Sequence, residues 1–391
     1  MCDIHDGKKS MTKTIPVTEA VGTILAHDIT EIRPGEFKGC AFRKGHVIRQ
    51  EDVCRLQRLG KENLFVLNIA DDEMHEDDAA YALANALMGQ GVEIKGEAKE
   101  GKINIIAATD GLLKIDKDAL LEFNMLGDVM CATLHNNTVV KKGQTIAGTR
   151  AIPLSVKKMI VEEAVNIAEK ARNNGRMEEA GTTPAATGMR PGGIIAVKEI
   201  RKPKAGVVIT GNEVYYGRIK DAFAPVIKGK IEAIGGEIAG IYYAPDDPEF
   251  IRDRLSELIN SGADLLITTG GMSVDPDDVT RFAIGSLGAS DVTYGSAVLP
   301  GAMFLVAYVE AGRGDQGSAA GEKPVSGPKF PVPILGIPAC GMYSSTTIFD
   351  LVLPRVLAGE IIGRRELSEL GHGGMCMNCE VCRYPVCPFG K

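Results

Sequence analysis

The chain contains no tryptophan, and aromatic residues make up only 5% of it. Base-stacking nucleic-acid platforms are built from several aromatic faces, so there is little here to build one. Basic residues are not in excess either: 44 Lys and Arg stand against 51 Asp and Glu, giving a formal net charge of -7. That balance excludes a broad phosphate-backbone surface, and nucleic acid with it. No apolar run approaches the ~20 residues of a membrane helix, so no membrane partner is expected. The opening residues Met1, Cys2, Asp3, Ile4, His5 and Asp6 are polar and carry no signal-peptide core. These absences predict a soluble, cytoplasmic chain. They also exclude a disulfide framework, because nine cysteines are an odd number in a chain without a secretory signal.

What is present is ample apolar material. With 391 residues, 45% of them hydrophobic, the chain has room for two or three domains. Residues 1–13 read as a tail. Residues 14–153 read as a mixed α+β, β-rich domain, with strands near 63–67, 103–106 and 144–147 and helices over 50–59 and 77–88. Residues 154–193 read as an amphipathic helix followed by a linker rich in Asn, Gly, Thr, Pro and Ala. From 194 to 360 strands alternate with helices: strands at 205–209, 237–243, 265–267 and 333–338, and helices at 221–234, from 247, and at 345–357. Such alternation predicts a three-layer α/β domain with a mostly parallel sheet. Residues 361–391 form a cysteine-rich tail.

In parallel sheets the ligand crevice lies at the carboxyl ends of the strands. Two such ends carry unusual chemistry. The strand at 205–209 runs into Thr210, Gly211, Asn212 and Glu213; the strand at 265–267 runs into Thr268, Thr269, Gly270, Gly271, Met272 and Ser273. Either loop alone is explained by a glycine turn. Together they suit an anion: glycines let backbone N–H groups approach a phosphate, and hydroxyls add donors. Thr210, Gly211, Thr269, Gly270, Gly271 and Ser273 are therefore the expected phosphate contacts. Glu213 and Asp278 would repel a phosphate unless a cation lies between, so they are expected to hold Mg2+. Asp277 reads as a helix cap, as do Asp246 and Asp247. Ser344, Ser345 and Thr346 read as caps of the last helix.

The segments Lys202 to Glu213, Pro245 to Glu249 and Thr268 to Val274, with Asp278, resemble the molybdopterin-binding domain of MoeA-type molybdotransferases and gephyrin. Pro276, Asp277, Asp278, Val279 and Thr280 are also similar to a segment of CinA-type proteins, which share the domain and act on nucleotides. The resemblance covers residues 194–359. It implies Asn212, Thr268, Pro300 and Gly301 as further cofactor-binding positions. It implies adenylylated molybdopterin as ligand, molybdate or tungstate as co-substrate, a molybdoenzyme or another assembly protein as partner, and a homo-oligomer. The reaction implied is phosphoanhydride cleavage with metal insertion. A non-catalytic cofactor carrier or sensor and a CinA-like nucleotide enzyme are the alternatives. Two departures stand out. Ala302 and Met303 follow Pro300 and Gly301 where the molybdotransferases carry lysine and proline, which removes one charge-assisted contact to an oxyanion. Pro338 is followed by Ala339, Cys340 and Gly341 where they carry glycine, asparagine and proline.

Cys376, Cys379, Cys382 and Cys387 crowd the tail with gaps of two, two and four residues, and Pro388 follows the last. Four thiolates so close predict a metal centre, either an iron–sulfur cluster or tetrahedral Zn2+.

Overall fold

A computed structural model describes residues 13–23, 25–33, 37–66, 70–179, 192–272, 279–310 and 331–391. Among these, no helix is long and apolar enough to cross a membrane.

The first part of the chain builds two cores rather than one. A small core of Val17, Leu25, Ile29, Phe42, Val53, Leu56 and Leu64 closes under two antiparallel strand pairs, Lys13–Pro16 with Asn63–Val66 and Ile29–Arg33 with Phe37–Phe42. A larger core follows. It has a four-stranded antiparallel sheet (Val92–Lys99, Lys102–Ala107, Thr145–Ala151 and Val129–Thr133) and a three-stranded one. The helix Lys158–Glu179 buries Val161, Ala164, Ala168 and Ala171 in this core, so it belongs to the body before it. The linker expected after it lies outside the described residues from 180 to 191.

The strand Ile195–Lys198 pairs antiparallel with Gly111–Ile115. Ile195 and Val197 lie in the larger core. The segment expected to open the α/β domain is thus the last strand of the body before it. An apolar run announces a buried strand but not which sheet will bury it.

The α/β unit begins with β1 (Lys204–Thr210). It continues through α1 (Phe223–Ala233), β2 (Glu237–Ala244), α2 (Pro248–Asn260) and β3 (Leu265–Thr269). Then come α3 (Thr280–Ser286), β4 (Ser290–Tyr294), β5 (Leu305–Val309), β6 (Val332–Ile337), α4 (Ile348–Leu357) and α5 (Arg364–Glu369). The sheet order is β2-β1-β3-β6-β5-β4; β2, β1, β3 and β6 are parallel, and β5 and β4 complete it antiparallel. Period-two alternation sends Val207, Ile267 and Leu335 to one face, with α1 and α4. Val208, Leu266 and Ile334 go to the other, with α2 and α3. Near-continuous apolar strands covered on both faces are what a parallel sheet requires. The three-layer α/β architecture is as the alternation predicts.

The tail is not loose. Phe389 is 3% exposed and sits in the core with Leu367 and Ile362. The Tyr384 hydroxyl donates to the Asp350 carbonyl of α4 at 3.3 Å.

Candidate functional site

Register brings the suspected loops to one edge. Ile209 of β1 stands opposite Thr269 of β3, and Thr269 opposite Ile337 of β6. Leu305, which opens β5, pairs with Gly336. The turn carrying Pro300 and Gly301 lies just before it, so it sits at the same carboxyl edge. Of the predicted site residues, Thr210, Gly211, Asn212, Glu213, Thr268, Thr269, Gly270, Gly271, Pro300 and Gly301 converge here. Ser273 and Asp278, with Asp277, lie in 273–278, outside the described residues.

The hydroxyls divide into two sets. Thr210 Oγ1 donates to the Thr269 carbonyl at 2.7 Å and lies 3.2 Å from Thr280 Oγ1, so it fastens β1 to β3 and to the start of α3. Thr268 and Thr269 are both fully buried, yet among the described residues neither side-chain oxygen has a hydrogen-bond partner. A buried hydroxyl without a partner costs ~1–3 kcal/mol. Successive strand residues face opposite sides of the sheet, so Thr268 lies on the Leu266 face and Thr269 on the Ile267 face. Each is a separate cost that a ligand or an ordered water would relieve.

Glycine is required here by the protein itself. Gly270 has φ of +78°, and a Cβ on it would come within 2.6 Å of the Thr210 carbonyl oxygen. A Cβ on Gly301, with φ of +130°, would come within 2.4 Å of Ile348 at the head of α4. Any side chain at either place would push the loop off its neighbour.

Glu213 stands on a single helical turn, Asn212–Tyr215. Its carboxylate folds back over Gly211, where a Cβ would lie 2.6 Å from Oε1. Glu213 is exposed, with its carboxylate free to meet a cation from solvent. Asp246 does something the sequence reading missed. Asp247 alone caps α2, accepting from the Phe250 N–H at 2.9 Å. Asp246 accepts from the Asn212 N–H at 3.0 Å, and the Asn212 side-chain oxygen accepts from the Asp246 N–H at 3.3 Å. This reciprocal pair locks the loop after β1 to the loop after β2. A proline two residues on signals a helix start, and two adjacent aspartates then look equivalent.

Arg281 was also missed. It follows Thr280 at the base of the glycine loop, with its guanidinium 5.4 Å from the Tyr294 ring centre, and among the described residues its Nε is buried without a partner. It supplies a cation near this edge, where the Pro300–Gly301 turn is followed by the uncharged Ala302 and Met303.

The capping expectation for 344–346 is corrected by one position. Thr347 is the cap: its Oγ1 accepts from the Phe349 N–H at 3.2 Å, and Asp350 returns the contact to the Thr347 N–H at 2.7 Å. Thr346 instead lies 3.3 Å from Cys382 Sγ. That contact is the main influence holding the Cys382 thiol below its ordinary value. All four tail cysteines border one cavity, with Tyr343, Ser344, Ser345 and Thr346 on its other wall. Among the described residues no three Cys, His, Asp or Glu side chains close on a point where one metal ion would sit.

Comparison with known proteins follows the same division. Residues 14–68, which hold the small first core, match a family described only as a domain of unknown function. A CinA-like protein of Mycobacterium avium is 40% identical over 77 residues, which is 20% of this chain and 18% of that protein. A CinA-like protein of Mycobacterium tuberculosis is 39% identical over the same length. The chain thus spans about a fifth of these curated relatives. The molybdopterin biosynthesis enzyme MoaB of Thermus thermophilus is 21% identical, with 40% of this chain and 98% of that chain covered and a TM-score of 0.30. Residues 206–358, which make up most of the α/β unit, match the family described as "Probable molybdopterin binding domain".

Proposed function

We propose that the carboxyl edge of the α/β sheet binds molybdopterin through its phosphate, and that the chain works in molybdenum cofactor biosynthesis. The observation that carries this is the buried hydroxyl of Thr269, without a partner among the described residues, at the end of β3 beside the Gly270–Gly271 turn and within the stretch that matches the molybdopterin-binding family. Gly270, Gly271 and Gly211 bring backbone to the anion, and Arg281 adds positive charge. Pro300 and Gly301 form the far wall.

The finer reading is a molybdotransferase-like reaction on adenylylated molybdopterin. Water cleaves the phosphoanhydride bond, giving AMP and the pterin phosphate, and molybdate or tungstate then binds the freed pterin. Glu213 and Asp278 hold the Mg2+ that offsets charge on the parting phosphates. A second reading, a cofactor carrier that cleaves nothing, is favoured by Ala302, which leaves the Pro300–Gly301 turn without a lysine. A CinA-like nucleotide activity draws on the mycobacterial relatives.

The test uses Thr269→Val, which keeps the side-chain volume and removes only the hydroxyl. Molybdopterin affinity should fall about tenfold, the size of one charge-assisted hydrogen bond. Fold stability should hold or rise, because an unpartnered buried oxygen is gone. Unchanged affinity in a folded variant would sink the site. AMP release from adenylylated molybdopterin with molybdate separates enzyme from carrier, and turnover of free pyridine nucleotide would favour the CinA-like reading. Asp278→Asn should weaken Mg2+-dependent binding far more than Asp277→Asn.

A further inference from the structure

Cys376, Cys379, Cys382 and Cys387 all line a single cavity of about 200 Å3. Its opposite wall is residues 343–346, the loop between β6 and α4. A tail that merely trailed from the surface would not enclose a volume with the body of the domain. This one is fastened at both ends. The Cys376 N–H donates to the Leu299 carbonyl at 2.8 Å, and the Leu299 N–H donates to the Gly374 carbonyl at 2.8 Å. At the far end the Gly390 N–H donates to the Gly373 carbonyl at 2.9 Å, closing the segment into a loop. Phe389 anchors that closure in the core. Inside the loop, Thr346 holds Cys382 against the wall.

The arrangement of the thiols bears on the cargo. Four thiolates on one zinc ion stand at ~2.3 Å from the metal, and among the described residues no three Cys, His, Asp or Glu side chains close on such a point. A polynuclear iron–sulfide core takes its thiolates around a body instead, and the four cysteines line one shared cavity. The spacing agrees. Cys376, Cys379 and Cys382, each separated from the next by two residues, match the run of three that shares one cluster, and Cys387, followed by Pro388 and bordering the same cavity, supplies the fourth thiolate. We propose that these four cysteines hold an iron–sulfur cluster, seated on residues 343–346 and clamped by the pairing of Leu299 with the tail. Loading is ligand exchange on an already oxidised core of two ferrous and two ferric ions with four sulfides: four S–H bonds break, four Fe–S bonds form, the displaced solvent ligands leave with the four protons, and no electron moves. The assignment does not depend on the pterin reading.

The test is iron and acid-labile sulfide analysis of the 391-residue chain, purified without oxygen and again after reconstitution with equal ferrous and ferric iron and sulfide. The expected result is about four irons and four sulfides per chain, with broad visible absorption that bleaches on reduction. Cys379 and Cys382 are exposed, so Cys379→Ser and Cys382→Ser spare the fold. Each should lower bound iron and sulfide at least about tenfold while circular dichroism is unchanged. Cys54→Ser, exposed on the helix Gln50–Arg58, should keep the full complement. About one zinc per chain without sulfide would overturn the proposal in favour of a structural ion. So would iron content indifferent to Cys379→Ser and Cys382→Ser, or a reconstituted chain holding neither iron nor sulfide.

Discussion

At the scale of single residues, charge placed where water is scarce decides behaviour. Glu76 opens the helix Glu76–Leu87 and is only 4% exposed. Burial, reinforced by the neighbouring Asp77 carboxylate, pushes its carboxyl from 4.5 up to about 7. The folded chain therefore keeps this proton between pH 4.5 and 7, where the unfolded chain has released it. Native binds more protons than unfolded in that window, so stability falls as pH rises through it and levels off above. Glu76→Gln should remove the fall: the variant gains on the parent above pH 7 and matches it near pH 4.5, read from denaturant midpoints across that range. Parallel pH profiles for the two proteins would refute this. That the two glycine and hydroxyl loops would meet at one sheet edge was legible beforehand, because strand–helix alternation implies parallel strands with their carboxyl ends together. Asp246 and Arg281 were not. Each acts on a neighbour supplied by a different loop, and no local pattern names that neighbour.

Among elements, α4 shows how one position matters. Ser344, Ser345, Thr346 and Thr347 are four consecutive candidates for its cap, and all are chemically suited. Geometry selects Thr347, which completes a reciprocal capping box with Asp350 and frees Thr346 to face Cys382. Thr347→Ala should cost about 1 kcal/mol of stability, while Thr347→Ser should cost little. Equal losses for the two, measured by chemical unfolding, would mean the hydroxyl is not the capping group. The periodic helices and apolar strands were legible to within a few residues. The end of β3 was set short at Ile267, since the apolar run stops there; the strand continues through Thr268 and Thr269 because β1 and β6 pair with it on both sides.

Across the whole molecule, a buried ionic cluster ties the first body to the α/β unit. Lys114, on the strand Gly111–Ile115, reaches Glu360, just past α4, and also donates to Asn137 Oδ1 at 2.7 Å. Glu360 accepts from Arg355 Nε at 2.7 Å. All three charged side chains are at most 7% exposed. Burial pulls the Lys114 ammonium below its ordinary value, and Glu360 opposes that pull. Removing one member leaves an uncompensated charge, so Lys114→Ala should cost about 3–5 kcal/mol. Lys114→Met combined with Glu360→Gln should cost less than the sum of the two single changes, because the pair is lost together. Strict additivity in a double-mutant cycle would show that the two do not act as a pair. Lys114 and Glu360 are 246 residues apart, beyond the reach of any periodicity argument.

The strand Ile195–Lys198 has a practical consequence for anyone dividing this chain. A fragment begun at residue 194, where the alternation starts, would carry an apolar strand without Gly111–Ile115 to cover its edge. Naked edges of that kind recruit one another, and such a fragment would aggregate for reasons unrelated to its own fold. The first body would suffer the matching wound, an unpaired strand facing water. A cut between Lys198 and Lys204 leaves both sheets whole, and the Lys114–Glu360 contact would then need a replacement on each side.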